Sequence, residues 1–391
     1  MNPAPFRVLV PFNTAVLYGM ERAVIESFDA VRPDIEPCFV ITNTAISRGL
    51  PVVGELRRRG LECRTFSDRG DWPRIGIPRS PLEGVRMMLA LWRGNQDILR
   101  ASKDCHAIYL PSIAYAAFAL AAMIVFRFRG RPVFHHFHDL TGQGSLRMRA
   151  FNLLITGHFH NTHAGKDAVL SDNPFLRRRR NAVASCCVQM RTSVRESAEI
   201  TGSMRDSRNI VYLGRLERRK GVFLLLQAFA SLAEQHPDVR LHLVGGADSA
   251  EGPELQTALC DPRLKDRVVL WGWRGDSNRI LEHACIHVQP SLPGQHDESF
   301  GRSAAEAMAM GVPTVCFRSG VLPEVVGDGI AGLVCSQPDP SSLAAAMSRL
   351  LQDPHLQQRL SYQARRRWED HFSPMQARRR WLRCLLQEEA A

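Results

Sequence analysis

Short apolar runs that alternate with longer helical patterns are the feature that most limits the folds open to this 391-residue chain. In the first half these runs are FRVLVPF at 6–12, PCFVITN at 37–43, HAIYLPS at 106–112 and PVFHHFHD at 132–139. Each run is short enough for one strand, and the residues that follow it are numerous enough for a helix. This order favours an α/β domain in which helices cover both faces of a parallel sheet.

A second series of the same kind begins near residue 209. Its strand-like runs are NIVYLGRL at 209–216, VRLHLVGG at 239–246, RVVLWGW at 267–273, IHVQPS at 286–291 and PTVCF at 313–317. They are almost wholly apolar, as strands of a parallel sheet are when both of their faces are buried. Because a chain of this length exceeds what one core supports, we predict two Rossmann-like α/β domains in tandem, with ligands at the carboxyl ends of the strands.

The pattern is irregular from about 171 to 207, and the domain boundary is predicted there. The predicted divisions are a first domain at 1–190, a linker at 191–208, a second domain at 209–370 and a C-terminal helix at 371–391. The final helical stretch, about 355–387, is expected to pack across both domains.

The net charge of +11 is placed unevenly along a composition that is 45% hydrophobic and 23% charged, as in soluble globular proteins. Residues 1–200 contain 27 Lys and Arg against 17 Asp and Glu. This excess indicates either a partner with negative charge, such as a membrane surface, or simply solvated arginines on helix faces.

The ten cysteines are scattered without a Cys-x-x-Cys pair, which indicates reduced core residues in a cytosolic protein. The N-terminal residues MNPAPFRVLVPFNTA lack the charged region and the long apolar region of a signal peptide. We therefore expect a cytoplasmic protein, peripheral on the inner face of a membrane if it binds lipid.

Residues 113–126, IAYAAFALAAMIVF, form the most apolar stretch and are followed by Arg127, Arg129 and Arg131. Fourteen residues fall short of the roughly 20 that a helix needs to cross a bilayer. The stretch is expected to be a buried helix, with a helix lying on a membrane surface as the alternative.

Two glutamates eight positions apart mark the stretch DESFGRSAAEAMAMGVPTV. If a helix begins near Phe300 or Gly301, its first amides and its positive dipole end form an anion site beside Glu298, with Glu306 about two turns into the helix. Carboxylate oxygens accept hydrogen bonds from neighbouring hydroxyl groups. This arrangement suits a nucleotide sugar, although two glutamates alone at this spacing occur by chance in many helices.

A basic turn, GRLERRKG, follows the first strand of the second series. Gly214 ends that strand and places Arg215 and Lys220 near the start of a helix. The planar fork of an arginine and the point charge of a lysine suit a pyrophosphate leaving group. A solvated basic turn is the simpler interpretation of this segment alone, but its presence in one domain with the two glutamates favours a functional role.

These motifs together resemble the family-four retaining glycosyltransferases, also called group 1 glycosyltransferases, which have the GT-B fold. The resemblance covers about residues 208–375, through GRLERRKG, LHLVGG, VVLWGW, QPS, ESFGRSAAEAMAMGVPTV, SGVLPEVV and GLV in that order. In the first half it rests on the order of strands and helices and on HHFHD. The resemblance implies two Rossmann-like domains that face a cleft.

The resemblance also implies roles for single residues. Arg215 and Lys220 match the pair that stabilises the donor pyrophosphate as the glycosidic bond breaks. Glu298 matches the carboxylate that faces the donor sugar, and Glu306 matches the one on the ribose hydroxyls.

Further donor-binding matches are Gly214 and the backbone amides of Phe300 and Gly301. Trp273 and Arg274 fall where the family packs the nucleotide base.

His138 in HHFHD matches a histidine of the first domain that reaches toward the donor sugar. Along a strand, His136 and His138 share one face and His135 takes the other. A metal site is a less favoured alternative for these histidines, and a structural role is the default for His135 and His136.

No cofactor and no metal are expected, because the family works without a metal and the chain has no Asp-x-Asp pair to hold a metal diphosphate. The resemblance implies attack on the same face of the sugar, with the departing phosphate helping to take the acceptor's proton. A covalent two-carboxylate route stays open as the alternative.

Gly19 is assigned to the acceptor side, where the family often has a Gly-Gly pair and this chain has PFNTAVLYGMER. The predicted function is transfer of a sugar from a nucleotide-sugar donor to a glycan or lipid-linked acceptor. The alternatives are a nucleotide-sugar epimerase on the same scaffold and a non-catalytic subunit that binds the nucleotide sugar. Nucleic-acid binding through RRRR at 177–180 is not expected, since those arginines lack interleaved aromatic residues.

Overall fold

A computed structural model describes residues 5–12, 17, 19–42, 51–66, 80–140, 146–190, 204, 208–247 and 251–386. The chain forms two compact units, the first made of Met1–Cys187 and Pro374–Ala391 and the second of Val188–Ser373. Most of the predicted linker, 191–203 and 205–207, lies outside the described residues.

The first unit contains a parallel sheet of seven strands in the order β3-β2-β1-β4-β5-β6-β7. The strands are β1 (Phe6–Pro11), β2 (Ile35–Thr42), β3 (Glu62–Phe66), β4 (Ala107–Leu110), β5 (Val133–Phe137), β6 (Gly157–His160) and β7 (Arg180–Val183). The helices are α1 (Gly19–Ala30), α2 (Pro51–Arg58), α3 (Pro81–Ala101), α4 (Ala116–Phe128), α5 (Leu146–Phe151) and α6 (His163–Asp172). The order reverses between β1 and β4, where open parallel sheets bind ligands.

The second unit repeats this topology in a parallel sheet ordered β10-β9-β8-β11-β12-β13. Its strands are β8 (Arg208–Leu213), β9 (Val239–Val244), β10 (Val268–Gly272), β11 (Ala284–Gln289), β12 (Thr314–Cys316) and β13 (Gly332–Val334). Its helices are α7 (Val222–Gln235), α8 (Gly252–Leu259), α9 (Ser277–Leu281), α10 (Arg302–Ala309), α11 (Leu322–Val326), α12 (Pro340–Gln352) and α13 (Pro354–His371). The predicted fold class, two Rossmann-like α/β units, is confirmed.

The final helical stretch is not one element but two. A break at Phe372 and Ser373 separates α13, which belongs to the second unit, from α14 (Pro374–Leu385), which belongs to the first. Trp381 of α14 is fully buried in the first unit, where its indole Nε1 donates to the carbonyl of Ser185 at 3.1 Å. The C-terminal helix is therefore part of the core of the first unit.

Four strands are absent from the sequence prediction: β3, β6, β7 and β13. Strand β7 falls inside the stretch from 171 to 207 that was expected to be irregular. These strands are three to five residues long. The alternation of side chains between the two faces of a strand is hard to recognise over so few residues.

The apolar stretch at 113–126 was predicted to be a buried helix, or alternatively a helix on a membrane surface. Most of it lies in α4, which is buried along one face only. Helix α4 buries Phe118, Ala119, Ala122, Met123 and Phe126 in the core of the first unit. Its other face is exposed. Within the part of the chain that the structure describes, no helix combines the length and the apolarity needed to cross a bilayer.

Candidate functional site

The loops that follow β8 and β11 carry the predicted donor-site residues of the second unit. These two strands are neighbours at the point where the strand order reverses, so the loops leave the same edge of the sheet. Gly221 brings them together: its φ of 76° is left-handed, and a Cβ atom there would lie 1.8 Å from the carbonyl oxygen of Pro290. Only glycine permits this approach.

Lys220 and Glu298 meet at the centre of this cluster. The Lys220 ammonium donates to Glu298 Oε1 at 2.7 Å, and the Ser291 hydroxyl donates to the same oxygen at 2.6 Å. Lys220 also contacts His296 Nε2 at 2.7 Å.

Glu298 is buried and ionised. Burial by itself opposes the charge, but His296, Lys220 and Ser291 together hold the pKa of Glu298 well below its usual range. A carboxylate kept charged in a site of low water content is a strong acceptor for hydroxyl groups.

The backbone around Glu298 is held from the loop after β12. Its carbonyl accepts from the amide of Val321 at 2.9 Å, and the Ser319 hydroxyl donates to the carbonyl of His296 at 2.6 Å. Gly320 lies between them with a φ of 51°, and a Cβ atom there would lie 2.2 Å from the carbonyl oxygen of Glu298. This close packing fixes the position of Glu298.

Arg215 lies in the same loop as Lys220 but pairs elsewhere. Its guanidinium forms an ion pair with Glu217, whose second oxygen accepts from Arg219 Nε at 2.7 Å. The Tyr212 hydroxyl donates to the carbonyl of Arg215 at 2.5 Å and so holds the start of the loop. Arg215 is about half exposed, which leaves its charge accessible to a ligand.

Gly214 directly follows β8 and lies beside Gly245, which directly follows β9. A Cβ atom on Gly245 would lie 1.8 Å from the carbonyl oxygen of Gly214. The two strands can approach closely at this edge of the sheet only because position 245 is a glycine.

Helix α10 begins at Arg302, one residue later than the expected start near Phe300 or Gly301. Gly301 is its left-handed N-cap, with a φ of 73°. Phe300 is buried, with its ring 5.6 Å from that of Phe372. The amides of the first helical turn have no acceptor within the helix, so the site has the donors that an anion requires.

Glu306 lies four residues after the first residue of α10, which is one turn and not the expected two. Its Oε1 accepts from Arg302 Nε at 2.8 Å. The predicted ribose carboxylate is therefore already paired within its own helix.

Trp273 and Arg274 follow β10 with different environments. The Trp273 side chain is 60% exposed. The Arg274 guanidinium donates to Asp276 at 2.9 Å and lies 5.2 Å from the centre of the Trp271 ring.

His138 belongs to the first unit, directly after β5, and Gly19 is the first residue of α1. The Tyr109 hydroxyl lies 2.7 Å from His136 Nδ1 and 3.4 Å from His138 Nε2, so these two histidines share a face as the strand pattern predicts. Burial lowers the pKa of His138 to about 3, which keeps it neutral.

His136, His138 and Cys186 place ligand atoms within 4.8 Å of one another. However, both ring nitrogens of His136 already have partners, Tyr109 at 2.7 Å and Asn161 Oδ1 at 3.1 Å. Cys186 Sγ donates to the same Asn161 oxygen at 3.1 Å. The group is a closed hydrogen-bond network, which fits a structural role better than a metal site.

Known proteins resemble this chain in sequence and in fold. The family model described as glycosyl transferases group 1 matches residues 193–367. The phosphatidyl-myo-inositol mannosyltransferase of Mycolicibacterium smegmatis is 30% identical over 339 residues, which cover 82% of this chain and 83% of that protein. The chain belongs to the group 1 glycosyltransferase family.

Other relatives match over a shorter part of the chain. The D-inositol 3-phosphate glycosyltransferase of Corynebacterium jeikeium is 34% identical over 163 residues, 38% of this chain. The match spans 36% of that relative's length.

The fold resembles that of Anabaena HepE, solved in complex with UDP and glucose. The TM-score is 0.77 at 18% identity, over 98% of this chain and 100% of that one. This likeness confirms the predicted GT-B architecture.

The structure thus brings Lys220 and Glu298 into direct contact, with Gly214, Arg215 and Gly301 at the same edge of the sheet. Four residues at the site were not predicted from the sequence: Ser291, His296, Glu217 and Gly320. Ser291 lies in the QPS motif, and His296 is two residues before Glu298, so a search for polar groups around the glutamate would have found both.

Proposed function

We propose that this protein transfers a sugar from a nucleotide-diphosphate donor to a glycan or lipid-linked acceptor, with retention of the anomeric configuration. The buried Lys220–Glu298 pair, beside the first turn of α10, is the observation that carries the proposal. It combines a cation for a diphosphate, an ionised carboxylate for sugar hydroxyls and backbone amides for an anion. Relatives named for glycosyl and mannosyl transfer support the reaction class.

In the proposed reaction, the bond between the anomeric carbon and the diphosphate oxygen breaks, and the leaving group takes the electron pair. Lys220, Arg215 and the α10 amides stabilise the negative charge that develops there. Glu298 orients the donor sugar through its hydroxyl groups. The acceptor hydroxyl attacks the same face, and its proton passes to the departing phosphate.

Binding of the ribose by Glu306 fits the same scheme, since its carboxylate can accept from hydroxyl groups while Arg302 holds one of its oxygens. Trp273 and Arg274 are assigned to the base. His138 and Gly19 of the first unit remain predictions for catalysis and for the acceptor side. No metal takes part, and the protein works in the cytoplasm, at the inner face of a membrane.

Calorimetric titration with UDP, GDP, ADP and their sugars in the presence of EDTA tests the donor site. We expect one nucleotide to bind without a metal and to bind at least about tenfold more weakly to Glu306→Ala, because a charge-assisted hydrogen bond contributes about 1.5–3 kcal/mol. Glu324→Ala, at a carboxylate of α11, is the control and should bind like the wild type.

An affinity of Glu306→Ala equal to that of the wild type would contradict the ribose assignment. Analysis of the products separates the alternatives. A new glycosidic bond that forms only with acceptor supports transfer, isomerised sugar without acceptor would indicate an epimerase, and binding without any product would indicate a non-catalytic subunit.

A further inference from the structure

Helix α3 of the first unit exposes an apolar stripe. Residues 81–93 contain no buried side chain, and the core of the unit takes only the second half of the helix. The large apolar side chains exposed here are Leu82, Val85, Met88, Leu89 and Trp92. At 100° per residue they fall within about one third of the helix circumference, so they form one face rather than scattered exposures.

Helix α4 exposes a second stripe. Leu120, Ile124 and Phe128 are spaced by four residues, so they follow one line along the helix. Phe128 is 89% exposed. A soluble helix normally turns polar residues outward, and this one has apolar residues on both its inner and outer faces.

Asn95 holds the two helices side by side. Its Nδ2 donates to the carbonyl of Ala117 at 2.8 Å, and its Oδ1 accepts from the amide of Ala121 at 2.8 Å. Ala117 and Ala121 lie on the same side of α4 as Leu120 and Ile124, because residues three and four apart share a helix face. The two stripes therefore border one seam, and we name them together the α3–α4 surface.

Arginines border this surface. On α3, Arg86 and Arg93 follow Leu82 and Leu89 by four residues each, which places them along one edge of the stripe. Arg127 and Arg129 stand at the end of α4. Long arginine side chains can cover apolar surface with their methylene groups while the guanidinium reaches outward.

The charge of the α3–α4 surface indicates which partner binds there. Residues 113–131 contain three arginines and no carboxylate, so a second copy of this chain docked on the same surface would bring arginines against arginines. An anionic headgroup layer would instead neutralise them, and the acyl region would cover the apolar side chains. We propose that the α3–α4 surface docks this protein on an anionic lipid bilayer, with Trp92 and Phe128 at the headgroup boundary.

No residue of the α3–α4 surface belongs to the donor site. The inference rests on the proposed function only in that the enzyme would meet a lipid-linked acceptor at the same bilayer. Docking by exposed helices fits the absence of a bilayer-crossing helix among the described residues. Both the apolar side chains and the arginines are needed. Insertion of the apolar side chains sets how deeply the helices enter the bilayer, and the arginines select negatively charged lipid.

Flotation of the full chain with vesicles tests the inference. We expect binding to vesicles of phosphatidylglycerol and phosphatidylcholine, weaker binding to phosphatidylcholine alone, and loss of the difference at about 1 M salt, where the Debye length is about 3 Å. Leu89→Glu with Trp92→Glu should weaken vesicle binding by roughly tenfold or more, because each buried apolar side chain contributes about 1.5–3 kcal/mol. Arg86→Gln with Arg93→Gln should reduce the preference for anionic lipid.

Tyr362→Glu is the matched control, since Tyr362 is a helix residue that is 63% exposed, against 62% for Trp92, and lies in the second unit. It should bind vesicles like the wild type. Equal binding of the wild type and the Leu89→Glu, Trp92→Glu variant would overturn the inference. So would a wild-type dimer in solution that this variant abolishes, because a second copy would then be the occupant.

Nucleotide titration on the same preparations keeps this test apart from that of the proposed function. Vesicle binding without nucleotide binding would support the α3–α4 surface and contradict the proposed donor site. Nucleotide binding by a wild-type protein that does not float with vesicles would support the donor site and contradict the surface.

Discussion

Lys220 and Glu298 are mostly buried, so each depends on the other for its charge. Lys220→Met should leave a buried carboxylate without its cation and lower the free energy of unfolding by about 3 kcal/mol. Adding Glu298→Gln should restore most of that loss, because the remaining groups are neutral and can hydrogen bond. Transfer activity should stay lost in Lys220→Met, in the double variant and in Glu298→Gln alone.

Denaturant unfolding and a transfer assay on each variant give the complete cycle. Additive losses of stability in the double variant would contradict a direct interaction between the two side chains. Recovery of activity in the double variant would show that the charges have no part in the reaction.

Gly320 tests whether the loop after β12 positions Glu298. In Gly320→Ala the new methyl group would overlap the backbone of Glu298, so the loop must move, and nucleotide-sugar turnover should fall by more than about tenfold. The control is Gly329→Ala, which has a similarly left-handed φ of 71° but open space around the Cβ position. It should cost only the backbone strain, about 1 kcal/mol, measured by thermal unfolding. If both variants keep wild-type turnover, the loop does not determine the position of Glu298.

At this scale the sequence placed Lys220 and Glu298 in one region, where the structure brings them into contact, but it did not predict the partners of the candidate site residues. Lys220 and Glu298 come from motifs whose spacing is set by the fold. The pairing of Arg215 with Glu217 and of Glu306 with Arg302 depends on side-chain rotamers in loops and along a helix, and spacing alone does not select among the available carboxylates.

Among the helices, α14 provides a direct test of stability because its Trp381 lies in the core of the first unit. Trp381 is fully buried, with the Phe28 ring at 5.2 Å and the Tyr109 ring at 5.4 Å. Trp381→Ala should lower the stability of the first unit by about 3–5 kcal/mol. Met375→Ala on the same helix, at a side chain that is 60% exposed, should change it by less than about 0.5 kcal/mol.

Denaturant unfolding with and without nucleotide assigns the effect to a unit, since a ligand stabilises the unit that binds it. A reduced nucleotide affinity of Trp381→Ala would indicate that α14 supports the second unit as well. It would contradict the assignment of α14 to the first unit alone.

The elements themselves show where sequence patterns fail. Long apolar strands such as β9 and β11 were predicted within two residues at each end. Strand β6, GHFH, was missed because two of its four residues are histidines, which read as polar although the structure buries both. The final helical stretch at 355–387 divides at Phe372 and Ser373, and Pro374 directly after them marks this boundary in the sequence, because proline lacks an amide to donate and restricts the residue before it.

At the scale of the whole molecule, the first unit has a concentration of buried histidines on and next to β5 and β6. Burial holds the pKa of each below its ordinary value: well below it for His135 and His136, about 3 for His138 and His158, and about 4 for His160. All five are therefore neutral in the folded protein near pH 7, whereas in the unfolded chain each would take up a proton below about pH 6.5.

The direction of the pH dependence follows from this difference. A depressed histidine pKa means that stability is complete above about pH 6.5 and is lost as the pH falls toward the folded pKa, by about 1.4 kcal/mol per pH unit for each histidine. The depressed pKa of Glu298 acts in the same direction only below about pH 4.5. Between pH 7.5 and 5.5 the first unit should thus lose several kcal/mol from its histidines alone, as measured by denaturant unfolding. His158→Gln should lower the pH slope by close to one proton. A stability that is flat across this range would mean that the histidines are reached by water and protonate in the folded state, and the network around His138 would then not hold it neutral.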